Sequence, residues 1–318
     1  MALGSMISTR RVLRRIAPLM TLVMVAAACS SAGSTPQASQ PAASPSVVVT
    51  ASPTATPVTP GSAGNLILAS TTSLQDSGLL DVLVPAFEKA SGYSVKTVAV
   101  GSGAAITLGQ QGNADVMFVH SPTQEQAFID AGWGVDRRLV AHNYFWIVGP
   151  KSDPAKIAGV TSGVDAFKKI AAAKATFVSR GDASGTNTKE LGLWKSAGIT
   201  TPIKDSWYVS TGQGMGPTLQ IASQKGGYTL TDTATFLASQ SSLDLQAMLK
   251  GDTSMVNIYS VIGVNPAKWP KVNAAGAKAF EDFVTGTAGQ QIIGTFGTDK
   301  YGAALFTADA GKDYSSIK

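Results

Sequence analysis

Residues 176–196 read TFVSRGDASGTNTKELGLWKS. Thr176–Ser179 is a short apolar run of strand character, and Asn187–Ser196 has helical spacing. Between them lie Arg180, Gly181, Asp182, Ala183, Ser184, Gly185 and Thr186: small residues, hydroxyls and one arginine. A strand running through such a loop into a helix sets the helix's unbonded N–H groups and positive dipole end beyond the strand's carboxyl end. Ser184, Gly185 and Thr186 would offer N–H groups and hydroxyls there, where an anion is favoured. Arg180 adds a forked, permanently charged donor, and Asp182 is spaced to hold the guanidinium in place. The same residues also fit a plain N-cap with a surface arginine. No lysine follows Gly185, which argues against a nucleotide phosphate loop, and Asp182 stands where a G-x-S-x-G nucleophile motif needs its first glycine.

Three more junctions share this style. Ser70–Ser73 puts four hydroxyl residues after a short apolar strand, where an N-cap needs only one. Gly101-Ser102-Gly103 follows an alternating strand over Tyr93–Val100 and opens a helix over Ala104–Gln111. It lacks the third glycine of a dinucleotide fingerprint. Thr211–Pro217 leads into a helix over Met215–Lys225, with Pro217 suited to its first turn. Further segments alternate in the same way: a helix over Gly78–Ser91, a strand over Ala114–Val119, a helix over Pro122–Ala131, and strands over Tyr144–Val148 and Tyr228–Thr231. Repeated strand–helix units imply an α/β fold with a mainly parallel sheet. Residues 65–318 in this pattern suit two α/β lobes, with ligand chemistry beyond the carboxyl ends of the strands.

Upstream of this body the composition changes. Residues 30–63 are almost wholly Ser, Thr, Ala, Pro and Gly, which cannot bury enough apolar surface to offset chain entropy, so they read as a disordered tether. Residues 1–28 carry Arg10, Arg11, Arg14 and Arg15, then a short apolar run over Ile16–Ala28 that ends at Cys29, the single cysteine. That pattern is a signal peptide, and Val25–Cys29 resembles a bacterial lipobox with Cys29 as the lipidated residue. The net charge of +5 sits mostly in those four arginines, so the body is nearly balanced and nucleic acid is not an expected partner. One cysteine excludes an internal disulfide framework, and no close His/Asp/Glu cluster suggests a metal cation site.

Together the four junctions hold hydrogen-bond donors and one arginine, an inventory for a desolvated anion. The segments Thr71–Ser73, Gly101–Gly103, Ala114–Val116 with His120–Pro122, Ser179–Thr186, Thr211–Gly216 and Tyr228–Asp232 resemble the solute-binding proteins of tungstate ABC transporters. The resemblance implies a two-lobed periplasmic-binding-protein-like fold of type II, with a ligand cleft between lobes joined by two crossover strands. It places lobe 1 over residues 65–144 plus 259–318, and lobe 2 over 145–258. The implied anion contacts are Thr71, Thr72, Ser73, Ser102 and Gly103, then Arg180, Ser184, Gly185 and Thr186, with a share from Gly214 and Met215. Asp182 supports Arg180.

In the rival phosphate-binding family an acceptor aspartate follows the strand matching Ala114–Val119. His120 stands at that position here, and it reads either as a donor to a fully deprotonated anion or as a packing residue. The expected protein is therefore no enzyme and uses no cofactor. It is an extracytoplasmic, lipid-anchored monomer that delivers tungstate or molybdate to an ABC permease with its ATPase. The alternatives are a phosphate or other oxyanion receptor, an anion sensor or store without a permease, and a hydrolase using Ser184.

Overall fold

The computed structural model describes residue 59, residues 61–200 and residues 204–317. The leader, Cys29 and the tether as far as residue 58 lie outside the described residues. The first half of the body holds strands β1 (Gly64–Thr71), β2 (Tyr93–Val100), β3 (Val116–Val119) and β4 (Gly134–Gly149). Between them come helices α1 (Thr72–Asp76), α2 (Leu79–Ser91), α3 (Ser102–Gln110) and α4 (Pro122–Asp130). The second half holds α5 (Gly163–Ala173), β5 (Phe177–Ser179), α6 (Gly185–Ser196), β6 (Tyr208–Ser210), α7 (Met215–Lys225), β7 (Thr229–Asp232) and α8 (Thr233–Ser239). The chain then runs through β8 (Gln246–Leu249), β9 (Val256–Val264), α9 (Ala274–Thr285), α10 (Thr287–Thr295) and β10 (Thr307–Ala308).

One sheet runs β10-β4-β9-β3-β1-β2, and β7 and β8 also pair with β4. A second, small sheet pairs β5 with β6. Where a helix joins neighbours, pairing is parallel: β1 with β2, β1 with β3, and β5 with β6. Elsewhere it is antiparallel, so the sheet is mixed and not mainly parallel as the strand–helix alternation suggested. The reason is β4. Its Gly134–Tyr144 stretch pairs with β9, and its Phe145–Gly149 stretch pairs with β7 and β8. A strand that leaves one set of neighbours and joins another serves both halves of the body. Only its Tyr144–Val148 portion was legible as a strand, because Asp136, Arg137 and Arg138 interrupt the apolar pattern before it.

Strand residues alternate between two helix layers. Val116 and Phe118 face a core with Phe87 of α2 and Phe280 of α9. Met117 and Val119 face the opposite core with Ile106 of α3 and Phe128 of α4. The second half repeats the device. Ile147 and Phe177 pack with Phe167 of α5 and Trp194 of α6, whereas Val148 and Val178 pack with Leu219 of α7 and Phe236 of α8. Period-two alternation on strands covered on both faces accounts for two α/β/α cores in one chain. Each strand's carboxyl end is thereby held between two layers, which makes it a rigid platform for the loop that follows.

One buried acid stands far from those loops. Glu281 on α9 lies against β9, where a Cβ on Gly263 would come within 2.9 Å of its Oε1. Burial, and then the Asp136 carboxylate, push the Glu281 carboxyl up to about 7, while Arg138 pulls the other way. Arg138 itself pairs with Asp136 and, at 2.7 Å, with Asp282. Because the folded state holds this proton more tightly than the unfolded chain does, stability falls as pH rises from the ordinary glutamate range through 7. The melting temperature of Glu281→Gln should therefore gain on wild type between pH 5 and pH 8 in a scanning melt. An equal difference at both pH values would contradict this account.

Candidate functional site

The four junctions meet. Arg180 Nη2, at the end of β5, donates to Thr72 Oγ1 at 3.0 Å, 108 positions away and at the start of α1. Gly216 N, in the first turn of α7, donates to Asp76 Oδ2 of α1 at 2.9 Å. Gly101, ahead of α3, packs on the Asp182–Ser184 loop, where a Cβ would lie 3.2 Å from Asp182 Oδ2. Gly214, which caps α7, packs on Thr72 at the same 3.2 Å.

The loop around Arg180 is locally dictated. Gly181 has φ +61°, a left-handed backbone that favours glycine, and a Cβ there would force Ser210 Oγ to turn aside. Ala183 is also left-handed, at φ 56°, a costly state for a residue with a Cβ. Its N–H donates to Asn187 Oδ1 at 3.2 Å. Ser184 is the N-cap of α6, its Oγ accepting from Asn187 N at 3.2 Å. Beneath the loop, Glu190 accepts from Ser179 Oγ at 2.6 Å, Tyr208 Oη at 2.7 Å and Trp194 Nε1 at 3.0 Å. That carboxyl ties the end of β5 to α6 and β6.

Arg180 is 1 % exposed. Nη2 bonds Thr72 and, at 2.5 Å, Asp182 Oδ2, while Asp182 Oδ1 accepts from Ser184 N at 3.2 Å. Yet Nε and Nη1 are buried with no partner among the described residues. Donors on a buried cation carry a desolvation cost of a few kcal/mol when left unmade. Such a guanidinium is oriented but not satisfied, and what it lacks is an acceptor.

The hydroxyls around it are arranged to give hydrogens. Thr72 Oγ1 accepts from Arg180, Ser184 Oγ from Asn187 N, and Ser102 Oγ from His120 N at 3.5 Å. Each has used a lone pair on the protein, which leaves its one hydrogen free. Thr186 Oγ1 is buried with no partner among the described residues. Other expected contacts turn away. Thr71 Oγ1 caps α1 through Leu74 N at 3.3 Å. The Met215 side chain packs in a core with Leu219 and Phe236, so only its main chain is near the junction. Gly103 and Gly185 lie where the two sets of junctions touch.

His120 lies behind the junctions. It is 2 % exposed, with Nε2 3.1 Å from Ser73 Oγ and Nδ1 2.8 Å from Asn257 Oδ1. Asn257 spends its Nδ2 hydrogens on Asn143 Oδ1 and the Tyr259 hydroxyl. The network therefore assigns the ring proton to Nδ1, and Nε2 accepts from Ser73. Burial lowers the His120 pKa to about 4, against the raising effect of Asn257, with the Arg180 charge lowering it further. Both ring nitrogens thus serve protein partners. Neither Asn257 nor Asp232 was picked out from the sequence as a site residue. Asp232 is fully buried, caps α8 through Thr235 N at 2.9 Å, and leaves Oδ2 without a partner among the described residues. Its carboxyl is raised by burial and drawn back by its own hydrogen bonds and by Arg180. No local pattern marks Asn257, whose partners His120 and Asn143 lie far along the chain, whereas Asp232 carries the local signature of an N-cap.

Among the described residues, no group of three or more His, Cys, Asp or Glu side chains is placed to hold a metal ion. The arrangement suits a small, multiply charged acceptor enclosed on several sides.

The model of the family described as the PBP superfamily domain matches residues 33–288. The tungstate-binding protein TupA of Peptoclostridium acidaminophilum is 47% identical over 251 residues, which cover 78% of this chain and 87% of that one. A solved structure of the tungstate ABC transporter from Geobacter sulfurreducens has a TM-score of 0.67 at 47% identity, covering 73% of this chain and 98% of that one. The tungstate-binding protein TupA from Desulfovibrio alaskensis G20 gives 0.65 at 44% identity, covering 77% and 99%.

The His120 assignment is open to direct measurement. In 15N-detected spectra its ring should show one proton, on Nδ1, with shifts unchanged from pH 5.5 to 8. A titration midpoint near the ordinary histidine value of about 6.5 would refute the network drawn here.

Proposed function

The chain belongs to the PBP superfamily and, within it, to the tungstate-binding proteins, and from that premise we propose that it captures tungstate outside the cytoplasm for an ABC importer. The observation that carries this reading is Arg180, a buried, oriented cation with free N–H groups ringed by hydroxyls that still have a hydrogen to give. Tungstate at neutral pH bears no proton, so all its oxygens accept. Thr72, Ser102, Ser184 and Thr186 would donate through hydroxyls and Arg180 through Nε and Nη1. Gly103, Gly185, Gly214 and Met215 would contribute main chain. Thr71 and Ser73 would contribute through the first turn of α1, Asp182 would hold Arg180, and His120 would hold Ser73. Molybdate has the same charge and shape and is a second ligand of the same site.

The reading is of a receptor and not of an enzyme. Ser184 Oγ is engaged by Asn187 N, and among the described residues no histidine or carboxylate is hydrogen-bonded to it. We take the lobes as residues 65–144 plus 259–318 and residues 145–258, crossing near Tyr144–Phe145 on β4 and at the start of β9. The protein would act as a monomer. It would be held to the outer face of the cell membrane by lipid on Cys29, with residues 30–63 as tether. Changing Cys29 to Ala should release it from membranes into the medium or periplasm, and full retention of that variant would sink the lipobox.

Calorimetry tests the site. Arg180→Ala should cost on the order of 2–5 kcal/mol of tungstate binding, roughly thirtyfold to several thousandfold in Kd. Arg180→Lys should recover part of this, because an ammonium cannot supply the fork. Thr72→Val should cost less, about 1.5–3 kcal/mol. A folded Arg180→Ala protein that binds tungstate within twofold of wild type rules the site out.

A further inference from the structure

Opposite faces of the cleft touch main chain to main chain at two places. A Cβ on Gly185, the first residue of α6, would lie 2.2 Å from the His120 carbonyl oxygen. A Cβ on Gly103, in the first turn of α3, would lie 2.8 Å from the Ala183 carbonyl oxygen. Neither carbonyl can yield easily. His120 is held by Ser73 and Asn257 and stacked on Tyr259 at 5.0 Å. Ala183 is pinned in its left-handed turn by Asn187. Neither glycine has a left-handed φ, and both sit in the first turn of a helix, so the backbone at either position would accept alanine without strain. The objection to a side chain at either position therefore comes from the opposite face of the cleft. Beside these contacts lie the unpartnered Nε and Nη1 of Arg180 and Oγ1 of Thr186, all buried.

We propose that Gly103 and Gly185 are specificity-determining residues: by letting the two lobes meet backbone to backbone, they set the width of the closed cradle and hence the size of tetrahedral dianion it grips. The inference rests on the oxyanion reading above and deepens it. Donors on α6 and Arg180 face donors on α1 and α3, so their common reach depends on how far the lobes close. Side-chain stops would give by rotation, whereas packed main chain does not. A methyl group on Gly185 must retreat by roughly 1 Å to reach ordinary contact distance. The closed lobes would then stand apart, and a small tetrahedron would lose contact on one side before a large one.

Gly192 provides the control. It lies in the same helix, α6, but a Cβ there meets nothing within 4 Å. Titrate wild type, Gly185→Ala, Gly103→Ala and Gly192→Ala with chromate, molybdate and tungstate at pH 8, where all three are dianions, and melt each protein without ligand. Gly192→Ala should bind as wild type does. Gly185→Ala should melt no lower than wild type, weaken tungstate and molybdate by at least tenfold, and weaken the smaller chromate by a larger factor. Gly103→Ala should follow the same order with smaller losses. Gly185→Ala and Gly103→Ala proteins that match wild type, or that lose all three ions by one common factor, would overturn the inference while leaving the receptor reading intact. A wild-type protein that binds none of the three ions would remove the oxyanion reading itself, and this inference with it.

Discussion

A guanidinium buried to 1 % exposure with part of its donor set unused is the constraint on which the rest of the cleft depends. Burial of a cation is tolerable only where it is paired and hydrogen-bonded. Asp182 supplies the pairing, and Thr72 reaches across the cleft to the same nitrogen. Asp182 can do so only because the chain turns left-handed at Gly181 and again at Ala183. That double turn is in turn anchored by Glu190, whose carboxyl gathers Ser179, Tyr208 and Trp194 beneath it. The strain at Ala183 and the burial of Glu190 are both costs, and both serve to hold one arginine in one orientation.

Hydrogen-bond polarity follows from the same economy. A serine or threonine hydroxyl can turn either way, so by itself it does not distinguish an anion from a donor. When a protein N–H or a guanidinium occupies one of its two lone pairs, the hydroxyl is turned so that its hydrogen is free for another acceptor. Thr72, Ser102 and Ser184 are each biased in this way by a different partner. His120 is kept neutral by burial and brings no formal charge to the cleft. Electrostatic attraction therefore rests on one fixed charge and on helix termini, which attract an anion without needing a counter-ion of their own.

The cleft is also wired to the strands that join the lobes. His120 follows β3, yet its ring bonds Ser73 on α1 and Asn257 on β9, and Asn257 bonds Asn143 on β4. The chain of bonds runs from α1 to both strands that cross between the cores. A buried polar network of this kind is costly unless each member is placed, and it specifies one arrangement of the elements that carry it.

Much of this was legible in one dimension. Ser184 as an N-cap, Asp182 two residues from Arg180, and Pro217 in the first turn of α7 are relations within a few residues, and local backbone geometry enforces them. The alternation of Val116, Met117, Phe118 and Val119 between two cores is equally local, because successive strand side chains point to opposite faces. The sequence alone therefore determined the junctions, their donor chemistry and the α/β class. Which of four consecutive hydroxyls faces the cleft, and which caps a helix or bonds a histidine, was decided only in three dimensions. So were the pairing of Arg180 with Thr72, the pairing of His120 with Asn257 over 137 positions, and the full length of β4. The physical reason is common to all of them. A hydroxyl or an imidazole takes its direction from whatever acceptor or donor packing brings beside it, and packing brings together residues that no local periodicity relates.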